Sequence, residues 1–479
     1  MLANLNLKNA IHHENSMKTL PQITASAEQL RIISTNNTGA ELIRGSAGSG
    51  KTTTALLRLR SLSNMIKARK ARRNDVTPLK LLLLTFNRTL AGYVRVLAQE
   101  QLKDLIEVNT FAKWSHEKLG SPVIFDRDAR GVLNYYASLF PDLDTQYLIK
   151  EVEYLLGRFE YESLEDYITA ERTGRGVLPR VSATLRRSIL DHVVYPYLNK
   201  LKDNQWLDWN GLATKMRTDI ASLEYDIIIV DESQDFSANE IRAIMHHLAA
   251  EHSVTFVTDT AQRIYARGYT WAEAGVNIAS NRSHKLNQNH RNTRQIAAFA
   301  AGILEGITVD ADGSLPNLDA AQTDGPLPKV IVGLYSQQVR WCIDYICRYV
   351  NLNVESVAFL KPQGGHWFKF IEQELQVADI NYVNLTRSQD WPEGSVNVGL
   401  CTFHSAKGLE FDYVFILGFN QENTQYGEEE TSDEIRVLRN LLAVAIARAR
   451  KHVVVGYKQG EESGLTQYFA TDTFDQVNL

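Results

Sequence analysis

"ELIRGSAGSGKTTTALLRL", Glu41 to Leu59, is the stretch that decides the fold. A short apolar strand runs into a glycine-rich turn, and the turn opens onto a segment with helical spacing. Gly45, Gly50, Lys51 and Thr52 satisfy G-x-x-x-x-G-K-[ST], with Ser46, Ala47, Gly48 and Ser49 between them and Thr53 following. Glycines let successive backbone N–H groups turn toward one anion, and the positive end of the following helix faces the same point. In this spacing the lysine reaches the β- and γ-phosphates of a nucleoside triphosphate and the hydroxyl ligates Mg²⁺. Strand, loop and helix agree, so a phosphate-binding α/β domain is expected here.

The machinery opposite the loop is sought next. "YDIIIVDESQD", Tyr225 to Asp235, is an apolar run of strand length ending in two acids. A buried parallel strand reads as a continuous apolar run, and its C-terminal end opens onto the ligand edge of the sheet. Asp231 is therefore expected to hold Mg²⁺ together with Thr52, and Glu232 to orient and deprotonate an attacking water.

Composition narrows the class. A chain of 479 residues, 44% hydrophobic and 22% charged, is long enough for about two to four domains. No apolar run approaches the roughly 18 to 20 residues that span a bilayer, and Met1 to Leu20 lacks the apolar segment of a signal peptide. A cytoplasmic protein without a membrane partner is expected. Cys342, Cys347 and Cys401 have no metal-ligand spacing and are expected to be core thiols in a reducing compartment. The net charge of −5 excludes a uniformly basic nucleic-acid coat, so local patches matter. Arg58 to Arg73 holds seven basic residues and no acid, and is expected to form a solvated helix face followed by a loop; Asn420 to Glu434 is acidic.

Eight further stretches occur in a telling order: "AEQLRII", "LLLLTFN", "VNTFAKWSHEKLG", "VDESQDFS", "VTDTAQRIY", "LNQNHRNTRQI", "TFHSAKGLEFDYVFILG" and "LLAVAIARAR". They run as the motifs of superfamily 1 helicases do, and the chain most resembles the UvrD/Rep branch over about residues 20 to 457. The resemblance implies two RecA-like domains with ATP and Mg²⁺ between them and 3′→5′ movement on single-stranded or tailed DNA. It also implies individual roles. Gln29 would recognise adenine, and Gln262 would sense the γ-phosphate. Arg291 and Arg448 would approach that phosphate from the second domain, and Glu410 would lie near the sugar. His290 stands where relatives usually stack a tyrosine on adenine. Arg267 stands where a tryptophan platform is common, leaving Tyr269 and Trp271 as the nearest stacking candidates. Ala443 and Ala447 replace a usual tyrosine and threonine. For the DNA track Phe86, Asn87, Thr110, Phe111 and His404 follow strands, where side chains can meet bases; Phe86 and Phe111 have core positions as their alternative.

Lys51 and Asp231 are 180 positions apart, so something is inserted. Residues 112–214 supply it, with helical apolar spacing in "VLNYYASLF", "QYLIKEVEYLLGRF" and "LRRSILDHVVYPYLNKL". Arg172, Arg175 and Arg180 there either meet phosphate or solvate a turn. The expected plan is a tail over 1–18, a first RecA-like domain over 19–111 and 215–283, the helical insertion over 112–214, a second RecA-like domain over 284–465, and a tail over 466–479. Only about fifteen residues intervene between Ile380 and Val396, where UvrD/Rep relatives usually carry a large subdomain. Such compact forms resemble the helicase partners of OLD-family nucleases in Gabija-like defence systems, which implies a nuclease partner. Two readings stay open: a DNA motor, and a nucleotide-gated subunit that controls its partner.

Overall fold

The structure, a computed structural model, describes residues 25–35, 37–45, 48–102, 106–171, 180–259, 268–286, 289–307, 321–362, 367–386, 388, 391–392, 396–424 and 433–479. In chain order the first half contains α1 (Ala27–Ser34), β1 (Gly39–Gly45), α2 (Lys51–Arg72), β2 (Leu81–Thr85), α3 (Arg88–Leu102), β3 (Ile106–Thr110) and α4 (Phe111–Lys118). Then come α5 (Asp126–Ser138), α6 (Thr145–Arg158), α7 (Ala183–Ile189), α8 (Tyr195–Asn204), α9 (Trp209–Thr218), β4 (Tyr225–Val230), α10 (Ala238–His246), β5 (Leu248–Thr258) and β6 (Ser283–Leu286). The sheet order is β3-β2-β4-β5-β1-β6, with every pairing parallel. The strands β2 and β4, "LLLLT" and "YDIIIV", are buried at every position, as strands covered on both faces must be. This order sets β5 between β1 and β4, so the phosphate loop and the acidic strand end open on one edge.

The second half contains β7 (Asn289–Thr293), α11 (Arg294–Leu304), β8 (Ala321–Thr323), β9 (Lys329–Val332), α12 (Tyr335–Tyr349), β10 (Val357–Lys361), α13 (Trp367–Val377) and β11 (Val383–Asn384). It continues with β12 (Val398–Thr402), α14 (Phe403–Ala406), β13 (Phe411–Ile416), α15 (Asp433–Ile446), β14 (Ala449–Tyr457) and β15 (Asp475–Asn478). Its parallel sheet runs β11-β12-β10-β13-β14-β9-β15, while β7 and β8 pair separately. The fold is α/β with two parallel sheets, the arrangement of two RecA-like domains. One apolar cluster joins them, running from Leu90 and Tyr93 on α3 to Trp391, Phe403 and Leu409.

The boundaries shift from those read along the chain. Residues 283–286 pair with β1 and close the first sheet, because strand pairing rather than motif order ends the domain. The expected C-terminal tail is an edge strand, with Asp475–Asn478 paired to β9. Within 112–214, Leu148, Val152, Leu155 and Val193 build a separate helical core, whereas Trp114 of α4 and Ala213 of α9 pack into the first sheet. Cys342 and Cys401 are core thiols, but Cys347 lies on the solvent face of α12. No helix among the described residues is long and apolar enough to cross a membrane.

Candidate active site

β1 ends at Gly45, where a Cβ would lie 2.5 Å from Ser49 Oγ and 3.0 Å from the Leu286 carbonyl oxygen. Gly50 starts α2 with φ 74°, a left-handed conformation that glycine adopts without steric cost. A Cβ there would meet Gln29 Nε2 at 2.4 Å. Gln29 is buried at the start of α1, with its Oε1 accepting from Ser26 N at 2.9 Å and its Nε2 3.5 Å from the Gly50 carbonyl oxygen. The adenine-reading candidate is thus fixed against the phosphate loop. Lys51 Nζ donates to the Gly45 carbonyl at 2.8 Å and pairs with Asp259 at 2.9 Å. Thr52 Oγ1 donates to Asp231 Oδ2 at 2.8 Å, so the expected metal pair meets.

Asp231 and Glu232 are both buried at the end of β4. Burial and the neighbouring Glu232 charge raise the Asp231 carboxyl above its ordinary range. Burial alone would raise Glu232 as well, but the cations Lys407, Lys51 and Arg448 outweigh it and hold Glu232 ionised. Gln234 ties this corner to β5: its Nε2 donates to Glu232, and its Oε1 accepts from Asp259 N at 2.9 Å and Thr258 Oγ1 at 3.3 Å. Lys407, at the end of α14, is buried in an ion pair with Asp235 and lies 3.8 Å from Glu232 Oε2.

Across the cleft Arg291 pairs with Glu410. Arg448 is 2% exposed, and donates from Nε to the Val444 carbonyl at 3.1 Å and from Nη1 to the Leu409 carbonyl at 3.3 Å. Burial, and then Arg291, lowers its pKa to about 10, which leaves it charged at neutral pH. Lys51, Thr52, Glu232, Arg291, Glu410 and Arg448 line one cleft, together with Gly48, Gly50 and Thr53. Ser46, Ala47, Gln262, Arg267 and the His290 side chain lie outside the described residues, as do Arg172 and Arg175; Arg180 is exposed.

The proposed track residues separate into two groups. Phe86, Tyr269 and Trp271 are half-buried on the first domain, with the Trp271 ring 4.6 Å from Phe256, and His404 is exposed on the second. The other three turn inward. Phe111 is 4% exposed and packs against Trp114 and Phe236, which takes its face away from a base. Thr110 caps α4, accepting from Lys113 N at 3.3 Å. Asn87 accepts from Leu90 N at 2.7 Å and donates across the seam to the Lys407 carbonyl at 3.2 Å.

Residues 29–267 match the family described as an AAA domain, and residues 371–460 match the UvrD-like helicase C-terminal domain. The chain carries a UvrD-like helicase C-terminal domain. Together with the AAA-domain match before it, this supports a superfamily 1 helicase of the UvrD/Rep type. The chain is 24% identical over 471 residues to a "Probable DNA helicase" of Mycoplasma pneumoniae, spanning 88% of this chain and 81% of that protein. It is 31% identical over 138 residues to a "Probable DNA helicase II homolog" of Mycoplasma capricolum, spanning 29% of this chain and 16% of that one. The solved C-terminal domain of a possible DNA helicase from Lactobacillus strain WCFS1 aligns at 21% identity with a TM-score of 0.29, over 39% of this chain and 97% of that one.

The cleft also contains residues for which the sequence assigns no role. Lys407 and Gln234 stand inside quoted motifs, and only their motif membership signalled them. Asp259 likewise stands inside a quoted motif, "VTDTAQRIY", whereas Tyr93 and Leu97 line the cleft with no pattern of their own. No cluster of three or more His, Cys, Asp or Glu residues suited to a metal occurs among the described residues. Mg²⁺ needs none, since it takes one or two carboxylates alongside phosphate and water oxygens. The Thr52 hydroxyl and Asp231 carboxylate, adjacent and all oxygen, fit it.

Proposed function

We propose that this UvrD-like chain hydrolyses ATP between its two sheets and uses the cycle to move 3′→5′ along single-stranded DNA. The observation that carries this reading is the convergence of charge from both domains on one cleft, Lys51 and Glu232 from the first and Arg291 and Arg448 from the second. Lys51 binds the outer phosphates. Thr52 and Asp231 would hold Mg²⁺, which would neutralise charge on the phosphate oxygens. Glu232, kept ionised by Lys407 and Lys51, orients the attacking water and accepts its proton. Arg448 stabilises charge spreading over the transferred group, a role worth about 10³ to 10⁵ in rate in comparable enzymes.

Because Arg448 and Lys407 belong to the second domain, hydrolysis requires the domains to be closed. Product release lets them part, and alternating grip on the strand turns this cycle into stepping. The exposed His404 and half-buried Phe86, Tyr269 and Trp271 supply the contact, since base stacking is sequence-tolerant at about 1–3 kcal/mol per base. A nuclease partner, implied by the compact form, would supply strand cleavage that this site does not perform.

The test is ATP turnover with and without single-stranded DNA, paired with displacement of streptavidin from 3′ or 5′ ends. Stimulated turnover and displacement from the 5′ end alone are expected. Turnover indifferent to DNA would overturn the reading, and stimulated turnover without displacement would favour the nucleotide-gated alternative.

A further inference from the structure

Arg448 follows the end of α15 and precedes β14, a place where helix-end carbonyls lack helical partners. Here Ala447 N, Arg448 N and Arg448 Nε donate to the carbonyls of Ala443, Ala445 and Val444, and the carbonyls that follow the helix are satisfied from other elements. Asn292 of β7 is 3% exposed, and its Nδ2 donates to the Ala447 carbonyl at 3.0 Å and to the Ala449 carbonyl at 2.6 Å. The carbonyl between them, that of Arg448, accepts from Phe411 N at 3.0 Å. Three consecutive peptide groups are therefore held, and the Arg448 side chain leaves this held segment toward the Leu409 carbonyl and the cleft. Asn292 is also the chain neighbour of Arg291, which pairs with Glu410, the chain neighbour of Leu409. The two arginines form one braced unit.

We propose that Asn292 is a positioning residue for hydrolysis: its amide sets the orientation of the Ala447–Ala449 backbone, and so places the Arg448 guanidinium against the transferring phosphoryl group. An amide carries two N–H donors, which is what two carbonyls require. The fixed placement matters most in the transition state, since a preorganised donor needs no reorganisation as charge develops. Asn292 does not touch nucleotide in this scheme and acts through Arg448. The inference rests on the role given to Arg448 above.

The experiment is a double-mutant cycle of Asn292→Ala and Arg448→Ala, reading kcat and KM for ATP and the affinities for ADP and ADP–aluminium fluoride. Asn292→Ala is expected to lower kcat about ten-fold or more with KM within about three-fold, and to weaken ADP–aluminium fluoride without weakening ADP. In the Arg448→Ala background it should cost less than about two-fold, because the group it positions is gone. Asn292→Ser, which keeps one donor, should fall between, and it carries the test if Asn292→Ala fails to fold. Equal losses in both backgrounds, or ADP and ADP–aluminium fluoride weakened together, would show a merely structural stitch and overturn the proposal. Parental hydrolysis by Arg448→Ala alone would instead remove the underlying reading of Arg448.

Discussion

Glu232 adopts a left-handed backbone, φ 54°, as β4 ends, a conformation that costs a non-glycine residue about 1–3 kcal/mol. The surrounding bonds impose it. Asp231 Oδ1 accepts from Glu232 N at 3.0 Å, and Ser233 Oγ donates to the Val257 carbonyl at 2.9 Å, so the turn is clamped on both sides. The strained turn holds the carboxylate beside Lys407 and Lys51. Glu232→Gln keeps this shape and removes the proton acceptor, so turnover should fall by at least about 10²-fold while ATP still binds. Lys51→Ala should instead weaken nucleotide binding itself. Phosphate release and fluorescent-nucleotide titration separate the two, and near-parental hydrolysis by either variant would refute the assignment. Away from the cleft, His247 and His452 are buried, and burial followed by the neighbouring charges of His246 and Lys329 lowers each pKa to about 4. The unfolded rings titrate near 6.5, so between about pH 6.5 and 4 the unfolded chain takes up protons that the folded chain refuses. Stability present above that window is lost as pH falls through it, by up to roughly 3 kcal/mol per ring. His452→Phe should make the acid fall in Tm shallower, as calorimetry across this range can show.

At the scale of elements, the seam between the domains is built on α3. Thr89 Oγ1 donates to the Leu385 carbonyl at 2.9 Å, and the Tyr93 ring lies 4.9 Å from Trp391. Gly408 has φ 81°, and a Cβ there would sit 2.6 Å from Leu90 Cδ2. Gly408→Ala combines a left-handed backbone cost of roughly 1–2 kcal/mol with this overlap. It should lower stability and impair closure, and Leu90→Ala in the same chain should recover the overlap but not the backbone cost. Denaturant midpoints of the single and double variants measure this, and a stable single variant would show that the seam has slack. The basic stretch Arg58–Arg73 is decided at this scale too. It is the distal part of a 22-residue helix about 33 Å long, so its end lies far from the phosphate loop. Arg58 itself is buried against Glu41 at 2.9 Å, while Lys70 and Arg73 pair with Asp226 and Glu251, each at 2.9 Å.

At the scale of the whole molecule the described residues form two parallel sheets and a separate helical core, and β11 and β12 are joined by a short segment where the resemblance to UvrD/Rep helicases would imply a duplex-binding subdomain. Closing and opening around ATP suffices for stepping on one strand. Separating a duplex also requires a contact at the junction to offset stacking of about 1.4 kcal/mol per step. The separately packed helices α5 to α8 are the sizeable candidate for it, with Tyr269 and Trp271 the nearest wedge. The isolated chain should therefore unwind only short or forked duplexes, and gain on longer ones with a nuclease partner added. Gel assays of 3′-tailed duplexes of increasing length measure this, and efficient separation of long duplexes by the chain alone would contradict it.

What the amino-acid order determined by itself was everything carried by local backbone demand. The glycines around Lys51, the apolar run before Asp231 and the arginine after α15 each state their requirement within about a dozen neighbouring residues, and the α/β fold and the cleft residues follow. Burial is a different kind of fact, because it depends on which distant segment arrives. Phe86 and Phe111 both follow strands, yet only Phe111 is enclosed, by α4 and Phe236. Asn87 is drawn to Lys407, Asp259 to Lys51 and Asn292 to the backbone beside Arg448 by pairings across more than a hundred positions. Asp475–Asn478 becomes a strand because β9 presents an unpaired edge. Hydrogen-bond donors and acceptors withdrawn from water must find partners, and only the tertiary structure decides which partners are within reach.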